Sequence, residues 1–139
     1  MSFLLDTNVV SEWTKPRPNP GLMAWLAAID EDRVFLSVVT IAELRRGVEG
    51  LASGERRRRL ADWLQQDLSA RFEGRILPID TQIANVWGRI VARRESNGRP
   101  IHAMDAMLAA TAEVHALALV TRNEADFHLT LKSVINPWS

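Results

Sequence analysis

The stretch Phe3–Asn8, FLLDTN, decides how the rest of the chain is interpreted. Its short apolar run ends abruptly in the carboxylate of Asp6, the hydroxyl of Thr7 and the amide of Asn8. This pattern is typical of a buried strand that delivers polar groups to the carboxyl edge of a parallel sheet, where α/β folds usually bind their ligands. Asp is also a favoured helix N-cap, so Asp6 taken alone fits a capping role equally well. Further carboxylates at the same edge would separate the two interpretations.

Length and composition predict one domain, residues 1–139, with room for a sizeable core. Lys plus Arg and Asp plus Glu both number 17, so no overall positive field attracts nucleic acid, and any such contact depends on local arginines. The absence of cysteine excludes disulfides and thiolate metal sites and suits a reducing compartment. No apolar run reaches membrane-spanning length and no leader pattern precedes Phe3, so we expect a cytoplasmic protein without membrane contact.

Strand-like and helix-like segments alternate along the chain. The pattern predicts an α/β fold with a mainly parallel five-stranded sheet sandwiched by helices. The expected strands are at residues 3–5, 33–36, 75–78, 118–121 and 133–135. Ser37 is the expected N-cap of the helix that follows the second strand.

Two further carboxylates lie on or beside the apolar faces of predicted helices. Glu43 borders the apolar stripe of its helix, from where it can point over the rim of the core or simply into solvent. Asp105 falls inside the apolar face of a helix whose pattern begins at Ile101. Burying a carboxylate is costly unless it is paired or binds a metal, so a functional role is preferred for Asp105 over capping a helix that starts at Ala106.

The run Glu55–Arg59, ERRRR, opens another predicted helix. Four consecutive arginines spread around a helix, so most must be solvated. A surface that binds phosphate or an acidic partner is the alternative.

Asp6, Glu43 and Asp105, gathered at one sheet edge with Asp126, would form a pocket whose ligands are all oxygen. Such a pocket suits Mg²⁺, with Mn²⁺ as the alternative, and makes zinc improbable. Carboxylates with a divalent metal favour phosphodiester hydrolysis. A small-molecule phosphatase is the poorer interpretation, since no DxDxT and no GxxxxGK[ST] motif is present.

At this point the residues resemble a known family. The segments LLDTNVVSE, SVVTIAELRRGV, AMDAMLAATA and LVTRNEADF, in this order and spacing, are similar to PIN-domain ribonucleases, specifically the VapC/FitB-type toxins of toxin–antitoxin pairs. The resemblance spans essentially the whole chain. The terminal INPW is especially similar to the FitB branch.

The resemblance implies roles for individual residues. Asp6, Glu43 and Asp105 match the acidic metal ligands, and Asn123 stands where the family often has a fourth acid, with Asp126 the nearby carboxylate that can substitute. The residues implied to orient the metal shell or the phosphate are Thr7, Asn8, Thr121 and Asn123.

The function implied is that of a Mg²⁺-dependent endoribonuclease toxin that hydrolyses RNA with metal-activated water and leaves a 5′-phosphate and a 3′-hydroxyl. The implied partners are the RNA substrate, a VapB-type antitoxin whose tail fills the pocket, DNA only through that antitoxin, and a second copy in a homodimer. The alternative function is a non-catalytic PIN-like module that binds an antitoxin or nucleic acid.

Overall fold

The computed structural model describes residues 1–139 and has one five-stranded sheet at its centre. All four strand pairings are parallel, in the order β3-β2-β1-β4-β5. The strands are β1 (Phe3–Leu5), β2 (Val34–Ser37), β3 (Ile76–Leu77), β4 (Ala118–Val120) and β5 (Val134–Ile135). The predicted parallel α/β sheet is confirmed; β1 has the predicted bounds, and the ends of the other four strands differ from the prediction by at most one residue.

The strand order contains a switch point at β1. The chain proceeds from β1 to β2 and β3 on one side, and then returns to place β4 on the other side of β1. Phe3 therefore pairs with Val34 on one flank and with Ala118 on the other. The connections on the two sides diverge at the carboxyl ends of β1 and β4, which leaves a crevice there. Asp6 and Thr121 are the first residues past these two ends.

Helices cover both faces of the sheet, as predicted. Those between β1 and β3 are α1 (Thr7–Trp13), α2 (Pro20–Ala28), α3 (Val38–Glu49), α4 (Glu55–Asp62) and α5 (Ser69–Arg71), with a 3₁₀ turn at Glu31–Arg33 and a π-helical segment at Trp63–Leu68 that joins α4 to α5. Those that follow β3 are α6 (Thr81–Ser96), α7 (Ala103–Val114) and α8 (Glu124–Phe127). No helix has both the length and the apolar character that a membrane crossing requires.

Adjacent residues of β1 belong to different halves of the core. Leu4 packs in a cluster with residues of α6 and α7, whereas Leu5 packs with residues of α1, α3 and the π-helical segment. Successive side chains of a strand point to opposite faces, so a strand buried on both faces is apolar throughout. This is why FLL can be continuous and why the polar residues begin only where the strand ends.

Candidate active site

Asp6 is fixed at the carboxyl end of β1 by neutral hydrogen-bond donors. Its Oδ1 accepts the backbone N–H of Thr7 at 2.6 Å, and its Oδ2 accepts the Thr121 hydroxyl at 2.8 Å and the Asn8 amide at 3.2 Å. Only 6% of Asp6 is exposed. Asp6 is the N-cap of α1 and also lines the crevice, so the capping role and the place at the site are both real.

Glu43 is joined to the same edge through Thr7. The Thr7 hydroxyl donates to Glu43 Oε1 at 2.6 Å, and the Thr40 hydroxyl lies 3.2 Å from Thr7 Oγ1. Glu43 is half-buried beside the buried Leu44, as its place at the border of the apolar stripe predicts. The sequence did not point to Thr40, although its position one turn before Glu43 on α3 offered a signal.

Asp105 is the third residue of α7 and is half-buried. The expectation that this helix begins at Ile101 was wrong by two residues, because His102 is the N-cap and its Nδ1 accepts the N–H of Met104 at 3.4 Å. Asp105 therefore does not cap a helix starting at Ala106. It lies in the first turn, where the helix dipole favours a negative charge.

A cavity of about 370 Å³ contains these three carboxylates. Its other predicted members are Thr7, Asn8 and Asn123. Five lining residues were missed by the sequence analysis, namely Ser11, Glu12, Lys15, Arg122 and Trp138. Ser11 and Glu12 lie three and four residues after Asn8 on α1, so this face of the helix was the available signal.

The three predicted carboxylates of the cavity form no ion pair with a cation. None of Asp6, Glu43 and Asp105 takes part in an ion pair. Burial is the main cause that raises the pKa of Asp6 to about 6, and the charges of Asp105 and Glu43 add to it against the hydrogen bonds from Thr121 and Thr7. Burial likewise raises the pKa of Asp105, while the charge of His102 lowers it and the charges of Glu43 and Asp126 raise it further.

The position of the expected fourth acidic ligand is occupied by the amide Asn123 instead of an acid. Asn123 lines the cavity, whereas Asp126 is exposed and does not line it, although its charge reaches Asp105. The backbone N–H of Asn123 donates to Thr121 Oγ1 at 3.0 Å, so the buried Thr121 hydroxyl connects this loop to Asp6.

The donor set of the cavity fits a hard divalent cation. No group of three His, Asp or Glu side chains is arranged to hold a metal ion as it stands. Carboxylates without a cation repel one another, and here Glu43 is bonded to Thr7 and Asp6 to Thr121. Asp6, Glu43 and Asp105 all line the cavity without forming an ion pair, and the pKa values of Asp6 and Asp105 are raised. A bound Mg²⁺ or Mn²⁺ would relieve this accumulation of negative charge.

The arginine run lies outside this cavity. Arg57 pairs with Glu49 at 3.0 Å and Arg58 pairs with Glu55, and all but the half-buried Arg57 are exposed. The interpretation of this run as a mainly solvated face is therefore confirmed. A larger cavity of about 500 Å³ beside Arg58 and Arg59 contains none of the predicted site residues.

Comparisons with known protein families, sequences and solved structures agree on one family. The family model described as "PIN domain" matches residues 3–130. Toxin FitB of Neisseria gonorrhoeae is 41% identical over 136 residues, which cover 98% of this chain and 98% of that protein. VapC ribonuclease Y4jK of Sinorhizobium fredii is 33% identical over 136 residues, covering 98% of this chain and 97% of that protein. The solved structure of FitAB bound to an IR36 DNA fragment matches with a TM-score of 0.92 at 38% identity, covering 99% of this chain and 96% of that chain.

Proposed function

The chain belongs to the PIN domain family, and we propose that it hydrolyses RNA phosphodiester bonds with a Mg²⁺ or Mn²⁺ ion held by Asp6, Glu43 and Asp105. It is a ribonuclease and the toxin of a toxin–antitoxin pair, as the relatives named toxin and ribonuclease support. One observation carries the chemistry. Three acids from three separate elements line one cavity and have no cationic partner.

The chain's own residues hold and orient the acidic groups. Thr121 and the N–H of Thr7 fix the carboxylate of Asp6, and the Thr7 hydroxyl fixes Glu43. Second-layer hydrogen bonds of this kind keep metal ligands in place. When bound, a divalent cation supplies Lewis-acid polarisation of a phosphoryl oxygen and lowers the pKa of water. The buried Asp6 is the fixed ligand, and the half-buried Glu43 and Asp105 face the solvent side where RNA arrives.

The proposed partners are an antitoxin and a second copy of this chain. An arginine in the tail of the antitoxin would find three unneutralised carboxylates in the cavity and would displace the cation. DNA contact is assigned to the antitoxin, since the net charge of this chain is zero. Because the proposed substrate is RNA, we propose that the protein acts in the cytoplasm. Light scattering of the isolated chain, and of the chain with its antitoxin, measures both assemblies.

Asn123 favours a second candidate function, a PIN-like module that binds without cleaving. An amide adds no negative charge where the family often has an acid, so a second cation would bind more weakly. This module would still bind its antitoxin or RNA through the same cavity.

Cleavage of labelled RNA with Mg²⁺ or Mn²⁺ tests the proposal. The wild type is compared with Asp6→Asn and Asp105→Asn, and with Asp32→Asn as a matched control, since Asp32 is exposed and lies outside the cavity. We expect cleavage by the wild type and the control and its loss in both site variants. Equal cleavage by all four proteins would reject the assigned residues. No cleavage by a wild type that binds RNA would leave the binding module.

A further inference from the structure

The acidic cavity also has two basic lining residues, called the basic wall below because the charges of both act on the same carboxylate, Glu12. Lys15, two residues past the end of α1, and Arg122, directly after Thr121, line the same cavity as Asp6, Glu43 and Asp105. The sequence analysis assigned neither residue a role. A cavity that only bound a cation would gain nothing from positive side chains, because they repel the ion.

Lys15 is held at this wall by a buried carboxylate. Its Nζ lies 2.8 Å from Oε1 of Glu12, and Oε2 of Glu12 accepts the backbone N–H of Asn19 at 2.7 Å. Glu12 is only 6% exposed, whereas 56% of the Lys15 side chain is exposed. The hydrogen bond from Lys15 is the main cause that holds the pKa of Glu12 below its usual value. Lys15 uses one donor on Glu12, and its ammonium group has two more to offer.

Arg122 forms no direct ion pair, although its charge is near enough to Glu12 to help lower the pKa of that carboxyl. Its backbone N–H is fixed by Asn8 Oδ1 at 3.3 Å. The charge of Glu12 is balanced by one of the two cations, so the wall keeps a net positive charge. The guanidinium of Arg122 offers the planar fork of donors that suits phosphate oxygens.

We propose that Lys15 and Arg122 together bind the backbone phosphate of single-stranded RNA that neighbours the scissile phosphate, with Glu12 as the residue that positions Lys15. This inference rests on the proposed function, because it uses the acidic wall as the place of the scissile phosphate. A ligand with a single anionic group would need only one wall. A polyanionic strand uses both. One phosphate lies at the metal ion held by the acidic residues, and the neighbouring phosphate lies at Lys15 and Arg122.

The contact of Lys15 and Arg122 with the neighbouring phosphate is called the phosphate grip below. The salt dependence of RNA binding tests this phosphate grip without requiring cleavage. The probe is a fluorescein-labelled single-stranded RNA of mixed sequence, titrated in EDTA at several KCl concentrations. Removing one phosphate contact to a single strand lowers the slope of log K against log[KCl] by about 0.7. We expect this loss for Lys15→Gln and for Arg122→Gln, with binding weakened about tenfold in each at low salt.

Matched controls separate the grip from general charge. Lys132 is the other lysine of the chain and lies outside the cavity, and Arg57 pairs with Glu49 at the surface. Lys132→Gln and Arg57→Gln should keep the wild-type slope. Glutamine at position 15 retains a donor for Glu12, and thermal melting verifies that each variant is folded.

The outcomes distinguish this inference from the proposed function. Slopes of Lys15→Gln and Arg122→Gln equal to those of the controls, with RNA still cleaved by the wild type, would overturn the phosphate grip alone. A wild type that neither binds nor cleaves RNA would overturn both. A raised KM for RNA with nearly unchanged kcat in the two variants would support the grip, because uniform substrate binding affects KM.

Discussion

The hydroxyl of Thr121 donates a 2.8 Å hydrogen bond to Oδ2 of Asp6, across 115 residues of sequence. It joins the ends of two neighbouring strands, β1 and β4, at the switch point of the strand order. Thr121 is fully buried and Asp6 nearly so, so the bond is shielded from solvent. Hydrogen bonds to a charged group are the stronger ones in proteins.

Thr121→Val removes this donor at nearly constant shape. We expect the free energy of unfolding at pH 7 to fall by about 1–3 kcal/mol, because the Asp6 carboxylate loses its buried hydroxyl partner. The matched control is Thr111→Val, since Thr111 is also fully buried but donates only to the Met107 carbonyl of its own helix. A cost for Thr111→Val of about 1 kcal/mol or less is expected. Urea denaturation measures both, and equal costs would contradict a special role for Thr121.

The pKa of Asp6 predicts how stability without metal depends on pH. Asp6 has a pKa of about 6 in the fold against 3.8 when unperturbed, so the native state binds the proton more tightly than the unfolded state. Its contribution is therefore fully present below pH 4 and is lost as the pH rises through about 6. Relative to Asp6→Asn, the wild type should lose about 2–3 kcal/mol between pH 4 and pH 7.5.

Urea denaturation in EDTA at the two pH values measures this loss, with Asp32→Asn as the control that should show none. Adding Mg²⁺ should then raise the Tm of the wild type more at pH 7.5 than at pH 5, because protons compete with the ion for Asp6. A Mg²⁺ effect that is the same at both values, or present in Asp6→Asn, would argue against Asp6 as a ligand.

Thr7 should matter through the hydroxyl it gives to Glu43. Thr7→Val removes the 2.6 Å bond, whereas Thr7→Ser can retain it. Loss of an outer hydrogen bond to a metal ligand typically costs about 10–100-fold in metal affinity or activity. We therefore expect RNA cleavage by Thr7→Val to be slowed by about this factor and cleavage by Thr7→Ser to recover substantially. Single-turnover rates measure both. Equal rates in the two variants would show that Glu43 does not depend on Thr7.

Substitutions at Asn123 and Asp126 should differ in their effect on metal affinity. Asn123→Asp adds a carboxylate to the three proposed metal ligands, so we expect tighter Mn²⁺ binding by calorimetry, by about tenfold. Asp126→Asn removes a charge that lies outside the cavity, and we expect less than about a threefold change from a solvent-exposed group. A larger loss in Asp126→Asn would identify Asp126 as the fourth ligand.

The lack of a side chain at Gly21 allows the C-terminal residues to pack closely against α2. A Cβ at Gly21 would lie 2.7 Å from the Pro137 carbonyl oxygen and 2.7 Å from the Ser139 side chain. Gly21→Ala should therefore displace the segment that carries Trp138 and destabilise the fold. Gly47→Ala is the control, because no atom lies within 4 Å of the added group and alanine favours a helix by about 0.5–1 kcal/mol. Thermal melting should move the two variants in opposite directions.

Much of the fold was predictable because its signals are local. The apolar runs gave the strands, and Ser37 accepts the N–H of Val39 at 3.0 Å as an N-cap should. The start of α7 was misplaced, since the helical periodicity of Ile101 extends beyond the cap at His102. The π-helical segment at Trp63–Leu68 was not predicted, because a π-helix has no distinct sequence pattern.

The sequence by itself indicated the five strands and the N-cap of α3 and singled out the three acids as candidates, because propensity, capping and periodicity act within a few residues. Only the tertiary structure decided which side chains meet. Thr7 reaches Glu43 across 36 residues and Asn8 fixes Arg122 across 114. Lys15 and Arg122 share a wall because β4 returns beside β1, a strand order that no local pattern records. Pairing of distant strands is set by packing of the whole core, and the basic wall exists only once that packing is complete.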